Sequence, residues 1–202
     1  RWQEFLKRNR PHILNIEQIK GLIGELLFMR DKLAPEFGWN SAISFWKGPE
    51  DAPQDFTVDK TAVEVKCQSG GSKPTVWINS TEQLSPQLPA GYLAVYTLAS
   101  ISEEGDDVFN LNSLISSIRE SLETEPENAR EKFEDLIFMA GYLYNEKYYE
   151  HRFSTVGLKS FRLKEGFPRI TNEDTINGIE KVSYAIKLEA CEPFSEKPEW
   201  WK

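Results

Sequence analysis

From Ile16 to Leu33 apolar residues recur at three- and four-residue steps (Ile19, Leu22, Ile23, Leu26, Met29, Leu33), the mark of a helix that buries one stripe. Asn15 predicts its N-cap and Pro35 its stop. The period then changes. Ser41–Trp46 reads as a strand, Pro49–Gln54 as a loop, and Asp55–Lys66 as two strands joined by a short turn. The polar run Gln68–Lys73, with adjacent glycines, predicts a loop, Thr75–Asn79 a short strand, and Ser80–Leu84 a helical turn. Tyr92–Leu98 is nearly continuous apolar sequence, suited to a buried strand. After an acidic connection, Ser102–Asn110, two helices are expected. The first carries Leu111, Leu114, Ile115, Ile118 and Leu122 on one face; the second carries Phe133, Leu136, Ile137 and Ala140. Thr124 and Glu127 have capping-box spacing there, with Pro126 in the first turn. Phe161 and Leu163 alternate with Arg162 and Lys164, and Val182, Tyr184, Ile186 and Leu188 alternate with Lys181, Ser183, Ala185 and Lys187, both strand patterns. No internal repeat appears, and no composition shift divides the chain.

Composition narrows the function classes. With 202 residues, 40% apolar and 12% aromatic, the chain can enclose a core, which excludes collagen-like and disordered readings. No apolar run approaches the roughly 20 residues of a spanning helix, and Arg1–Arg10 lacks the apolar stretch of a secretory signal. Two cysteines, Cys67 and Cys191, and two histidines, His12 and His151, supply neither a disulfide framework nor a zinc cluster. A cytoplasmic location is expected. The net charge of -8 weighs against polyanion binding by the protein as a whole. Within residues 151–169, however, Arg152, Lys159, Arg162, Lys164 and Arg169 face only Glu165, a local +4. That stretch is either a polyanion face or a solvated strand and loop. The aromatic pairs Tyr148/Tyr149 and Trp200/Trp201 fit core or terminal packing, with base stacking as the alternative. The tail from Glu192 docks on this chain or on a partner.

The chemistry concentrates between Ala52 and Lys66. If Asp59 and Lys60 are the central turn residues, Phe56 pairs with Val63 and Asp55 with Glu64. Phe56, Val58, Val63 and Val65 then share a core face, and Asp55, Thr57, Glu64 and Lys66 share the other. Slipping one residue would put Asp55 among the valines. Opposed carboxylates on paired strands, with Cβ atoms about 5 Å apart, repel by roughly 3 kcal/mol at an effective dielectric of about 20. A hard divalent cation removes that cost: Mg²⁺ takes one or two carboxylates and leaves positions for water and phosphate oxygens. Lys66 adds a cation on the same face for charge developing on a phosphate. The alternative is a solvated strand face. Glu25 lies at the border of the first helix's apolar stripe, either an inward-reaching carboxylate or an ordinary boundary residue. Cys67 alternates away from Lys66 and reads as a small core residue.

Taken in order, G-L-I-G-E-L (Gly21–Leu26), W-K-G-P (Trp46–Pro49), Q-D-F (Gln54–Phe56) and V-E-V-K (Val63–Lys66), followed by a strand, resemble the core of the PD-(D/E)XK nuclease superfamily, the restriction-endonuclease-like fold. S-T-E-Q-L (Ser80–Leu84), G-F-P-R-I (Gly166–Ile170) and V-S-Y-A-I-K-L (Val182–Leu188) are similar to a bacterial family of that superfamily met in restriction and phage-defence operons. The pattern's proline stands one residue early, at Pro53, with Gln54 before Asp55. The resemblance implies an α/β fold: a central mixed β-sheet flanked by helices, with a C-terminal α+β extension. It implies one nuclease-like domain over residues 1–202, with a core over 12–100, a helical hairpin and strands over 101–190, and a tail over 191–202. Asp55 and Glu64 would bind Mg²⁺, with Mn²⁺ able to substitute and the Val65 carbonyl as a further ligand. Lys66 would orient the attacking water, and Glu25 would reach the metal through water. Gln68 and Gln83 are auxiliary candidates for orienting DNA or water, and Lys159, Arg162, Lys164 and Arg169 for holding DNA. The implied function is a Mg²⁺-dependent DNA endonuclease of a prokaryotic restriction or phage-defence system, working with an operon-encoded ATPase or helicase or with other defence proteins. The alternative is a non-catalytic DNA-binding or scaffolding subunit. A homodimer remains open, and no membrane partner is expected.

Overall fold

A computed structural model describes residues 13–70 and 74–201; Arg1–Arg10, read above as no signal, lie outside them. Helix α1 spans Ile16–Phe28 and is capped as the sequence predicts. The Asn15 side chain accepts from the N–H groups of Glu17 and Gln18, and the Gln18 side chain accepts from the Asn15 N–H at 3.0 Å. The expected stop at Pro35 does not occur. A π-helical turn, Met29–Leu33, takes over; it contains Asp31, whose carbonyl Pro35 would crowd in a regular α-helix, and Pro35 follows in α2, Ala34–Phe37. The break comes instead at Gly38, whose φ of 77° favours glycine. Ser41–Trp46, predicted as a strand, belongs to helix α3, Trp39–Phe45. The two residues it buries, Ala42 and Ile43, are sequence neighbours, which the two faces of a strand would have separated. Only Trp46 is strand-like, making an isolated antiparallel bridge to Phe56.

Among the described residues six strands follow: β1 (Phe56–Val58), β2 (Thr61–Ser69), β3 (Thr75–Ile78), β4 (Ala90–Ser100), β5 (Phe153–Arg162) and β6 (Tyr184–Lys187). Four make a mixed sheet in the order β1-β2-β4-β5, with β2 parallel to β4 and the outer pairs antiparallel. The hairpin register is the predicted one, Phe56 opposite Val63 and Val58 opposite Thr61, with Asp59 turning at φ 49°. β2 runs two residues into the predicted polar loop because Gln68 and Ser69 pair with Thr97 and Leu98 of β4; 71–73 lie outside the described residues. β3 and β6 form a second, two-stranded sheet, and a 3-10 turn covers Thr81–Leu84. Helices α4 (Leu111–Ser121) and α5 (Glu127–Met139) complete the set. At α5 the Thr124/Glu127 capping box is not made; Pro126 is itself the N-cap, with no side-chain cap bond.

Burial divides by sheet face. Phe56, Val58, Val63, Val65, Tyr92, Ala94 and Tyr96 join the stripes of α1, α4 and α5 in the main core. On the opposite face Leu93, Val95, Phe161 and Leu163 pack under β3 and β6 with Val76, Ile78, Ile186 and Leu188. The result is an α/β fold, a four-stranded mixed sheet flanked by helices, which is the architecture the resemblance implies. The tail docks on its own chain. Ser195 bridges to Phe161, and the rings of Trp200 and Trp201 pack edge-on against Phe28 at 6.3 and 5.5 Å. Tyr148 is buried, with its hydroxyl accepting from the Leu14 N–H, while Tyr149 is exposed. Among the described residues no helix is long and apolar enough to cross a membrane.

Candidate active site

Asp55 sits one residue before β1, just beyond the hairpin's last pair, Phe56 opposite Val63. Its carbonyl accepts from the N–H groups of Lys47 and Gly48 at 2.7 and 3.0 Å. Its Oδ2 accepts from the Val65 N–H at 2.7 Å, so a carboxylate takes the ladder bond that another β1 residue would have made. The N–H and C=O of one strand residue face the same edge, so the Val65 carbonyl lies on the Asp55 side.

Glu64 points to the opposite face of β2 from Val63 and Val65 and is only 1% exposed. Lys66 Nζ stands 2.6 Å from Glu64 Oε1, yet neither Glu64 oxygen receives a well-directed hydrogen bond among the described residues. The third carboxylate comes from α1. Gly24 permits its approach: a Cβ there would lie 2.5 Å from Cys67 Sγ, so helix and strand meet almost backbone to side chain. Cys67 therefore faces α1, as alternation predicts, and burial, reinforced by Glu25, pushes its thiol up to about 12. Glu25 Oε2 accepts from the buried Trp46 indole Nε1 at 2.6 Å. The structure thus brings Glu25, Asp55, Glu64 and Lys66 together at one sheet edge.

Their electrostatics are unbalanced. Burial, then Asp55, raises Glu64 to about 8 against the pull of Lys66. Burial and Asp55 also hold Glu25 well above the carboxylate range despite the Trp46 bond. Asp55 is raised by burial, with Lys66 and the Val65 N–H opposing. Burial depresses Lys66, but Glu64 and Asp55 outweigh it and raise the ammonium. Three carboxyl groups thus share one cation in a desolvated space. No three His, Cys, Asp or Glu side chains among the described residues converge as a complete metal cage. The donors available, carboxylates and a strand carbonyl, are all oxygen and suit a hard divalent cation, with remaining positions for water or phosphate. What carries that fit is the chemistry of the donors and the excess of carboxyl groups over the Lys66 ammonium.

The auxiliary candidates separate. Gln68 lies on the Glu64/Lys66 face, donating to Thr97 Oγ1 at 2.8 Å, with its own Oε1 buried and lacking a donor among the described residues. Gln83 is occupied locally, accepting from the Asn79 N–H at 2.8 Å. Gln54, absent from the sequence-derived candidates, pins the 3-10 turn beside Asp55 by donating to the Glu82 carbonyl at 2.6 Å. Arg169 donates to the Leu84 carbonyl of that turn. Lys159, Arg162 and Lys164 lie along and just beyond β5, where tail carboxylates meet them: Glu192 pairs with Lys159, and Glu196 with Arg162 at 3.0 Å and Lys164 at 3.8 Å. Trp46 and Gly48 were also missed as site residues, because the segment leading to them read as a strand whose residues had no partner to suggest.

A family model described as "Putative PD-(D/E)XK family member, (DUF4420)" matches residues 1–189. No curated protein and no solved structure matches the chain.

Proposed function

The chain belongs to this PD-(D/E)XK family, and we propose that it is a Mg²⁺-dependent DNA endonuclease of a prokaryotic restriction or phage-defence system. The observation that carries the reading is the meeting of Asp55, Glu64 and Lys66 at one buried edge, with a single ammonium set against several carboxylates. Asp55, Glu64 and the Val65 carbonyl would hold the ion, and Glu25 would reach it through water. A divalent cation there supplies a Lewis acid for the scissile phosphate and lowers the pKa of bound water.

The chain's own groups do the rest. Lys66, held 2.6 Å from Glu64, orients the attacking water and places positive charge beside the phosphorus as its oxygens gain negative charge. Glu64 and Asp55 remain carboxylates once a cation offsets their repulsion. Hydrolysis then forms one bond from water oxygen to phosphorus and breaks one bridging P–O bond, the leaving oxygen taking a proton. Mn²⁺ substitutes for Mg²⁺ because the donors are all oxygen. Target selection is assigned to an operon-encoded ATPase or helicase, and the site of action to the cytoplasm.

A second reading, a DNA-binding or scaffolding subunit without turnover, is favoured by the tail carboxylates that already pair Lys159, Arg162 and Lys164. Plasmid and single-stranded DNA incubated with the purified protein separate the two. Cleavage with Mg²⁺ or Mn²⁺, none with EDTA, and a loss of at least 100-fold in Glu64→Ala and Lys66→Ala are expected for the nuclease, the order of effect of removing a positioned catalytic group. Equal cutting by Glu64→Ala and wild type would sink the site; DNA binding with no cutting in any metal would favour the scaffold.

A further inference from the structure

The segment Trp46–Lys47–Gly48 contributes no carboxylate, yet it touches both outer acids of the site. Trp46 is wholly buried and donates its indole N–H to Glu25 Oε2 at 2.6 Å. It is tied to the sheet by its bridge to Phe56, one residue from Asp55. Two residues on, the Gly48 N–H donates to the Asp55 carbonyl at 3.0 Å. A Cβ on Gly48 would stand 3.0 Å from Glu25 Oε2, 3.0 Å from Asp55 Oδ1 and 3.5 Å from Asp55 Cα. The backbone at Gly48 does not require glycine, since its φ is not positive. The absent side chain is what the site uses.

We propose that Trp46 and Gly48 are positioning residues of the metal site: Trp46 fixes the direction of the Glu25 carboxylate, and Gly48 keeps clear the space that Glu25 and Asp55 both face. The inference rests on the proposed nuclease reading, which puts a divalent cation at these acids. Two neighbouring carboxylates repel, and a glutamate has three torsions by which to swing away. A cationic tether would hold Glu25 but neutralise it. The indole N–H is a donor with no charge, so it restrains the carboxylate and leaves its charge for the cation. A methyl at Gly48 would wedge between the two acids at a separation tighter than ordinary contact, moving one or both by a few tenths of an ångström.

Equilibrium Mn²⁺ binding, read from the electron paramagnetic resonance signal of the free ion, tests this without any need for turnover. Wild type is compared with Trp46→Phe, Gly48→Ala, Asp55→Asn, Glu25→Gln and the double variant Trp46→Phe/Glu25→Gln, with melting in EDTA as the folding check. Groups that orient metal ligands typically cost about 10–100-fold in affinity when removed, and a loss of at least 10-fold is expected for Trp46→Phe and for Gly48→Ala. In the Glu25→Gln background Trp46→Phe should cost less than 2-fold more, because the indole acts through that carboxylate. A merely structural tryptophan would cost the same in both backgrounds, and that result overturns the proposal for Trp46. Should Trp46→Phe fail to fold, Gly48→Ala carries the test, and wild-type affinity in it overturns the assignment of Gly48. If wild type and Asp55→Asn bind Mn²⁺ equally, the metal reading itself has failed, a result distinct from wild-type binding that is lost in Asp55→Asn yet kept in Trp46→Phe and Gly48→Ala.

Discussion

Glu64 carries the largest consequence of any single residue. Its carboxyl is almost fully buried, and its pKa rises from 4.5 to about 8 through burial first and Asp55 second. A raised acid binds its proton more tightly in the folded state. Its stabilising contribution is therefore complete below the unfolded value near 4.5 and is lost as pH climbs toward 8. Glu25 and Asp55 shift in the same direction, whereas the raised ammonium of Lys66 loses its contribution only above its ordinary 10.5. In EDTA the melting temperature should thus fall between pH 5 and 8, and Glu64→Gln should flatten the fall. Mg²⁺ binds the ionised acids, so it should restore stability most at the alkaline end. For a dissociation constant near ~1 mM and ~10 mM ion, linkage gives RT ln 11, about 1.4 kcal/mol, or roughly 3–6 °C for a chain of this size. Asp55→Asn should lose most of that gain. Parallel melting curves with and without metal in both proteins would remove the ion from this site.

Among the elements, those set by local pattern were legible and those set by neighbours were not. The β1–β2 hairpin could be read to the residue because a slip would have buried Asp55 among valines, and the start of α1 because the Asn15 cap and the apolar stripe agree. The same logic found the three acids and Lys66 as candidates, since the hairpin register and strand alternation bring Asp55, Glu64 and Lys66 to one face and the helix stripe puts Glu25 at its border. α3 was misread because Ser41–Trp46 is short and apolar, with no period long enough to distinguish helix from strand. That error hid the contact of Trp46 with Glu25, 21 residues away. The partners of Lys159, Arg162 and Lys164 were likewise invisible, lying some 32 to 34 positions away in the tail. The close approach of α1 to β2 can be tested at this scale. Gly→Ala inside a helix ordinarily stabilises by about 0.5–1 kcal/mol. Here the new Cβ would meet Cys67 Sγ at 2.5 Å and Val65 Cγ1 at 3.4 Å, so Gly24→Ala should destabilise by about 1–3 kcal/mol, as overpacking does. Adding Cys67→Ala should recover most of it, a coupling measurable by urea melts of the four-member cycle. Stabilisation by Gly24→Ala alone would show that α1 stands further from the strand.

At the scale of the whole molecule the question is how a chain of net charge -8 could hold DNA. Long-range repulsion is not decisive, because the screening length at physiological ionic strength is about 8 Å. What matters is whether the few cations near the substrate are free or can be freed. Lys159, Arg162 and Lys164 are paired with Glu192 and Glu196, but all five side chains keep a third or more of their surface in water, and exposed pairs are worth only about 0–1 kcal/mol. A phosphate can therefore take the place of a tail carboxylate at small cost. Truncating the tail is a poor test, since Trp200 and Trp201 pack on Phe28 in the main core and their loss would disturb far more than charge. Neutral replacements isolate the effect. Glu192→Gln with Glu196→Gln should tighten DNA binding several-fold at low salt and steepen the plot of log affinity against log salt, by about 0.9 for each additional phosphate neutralised. Arg162→Glu with Lys164→Glu should do the opposite, weakening binding and flattening the slope. Filter-binding titrations across a salt series measure both. If neither pair of substitutions moves affinity or slope, the β5 edge is only a solvated face, and any DNA must be held elsewhere.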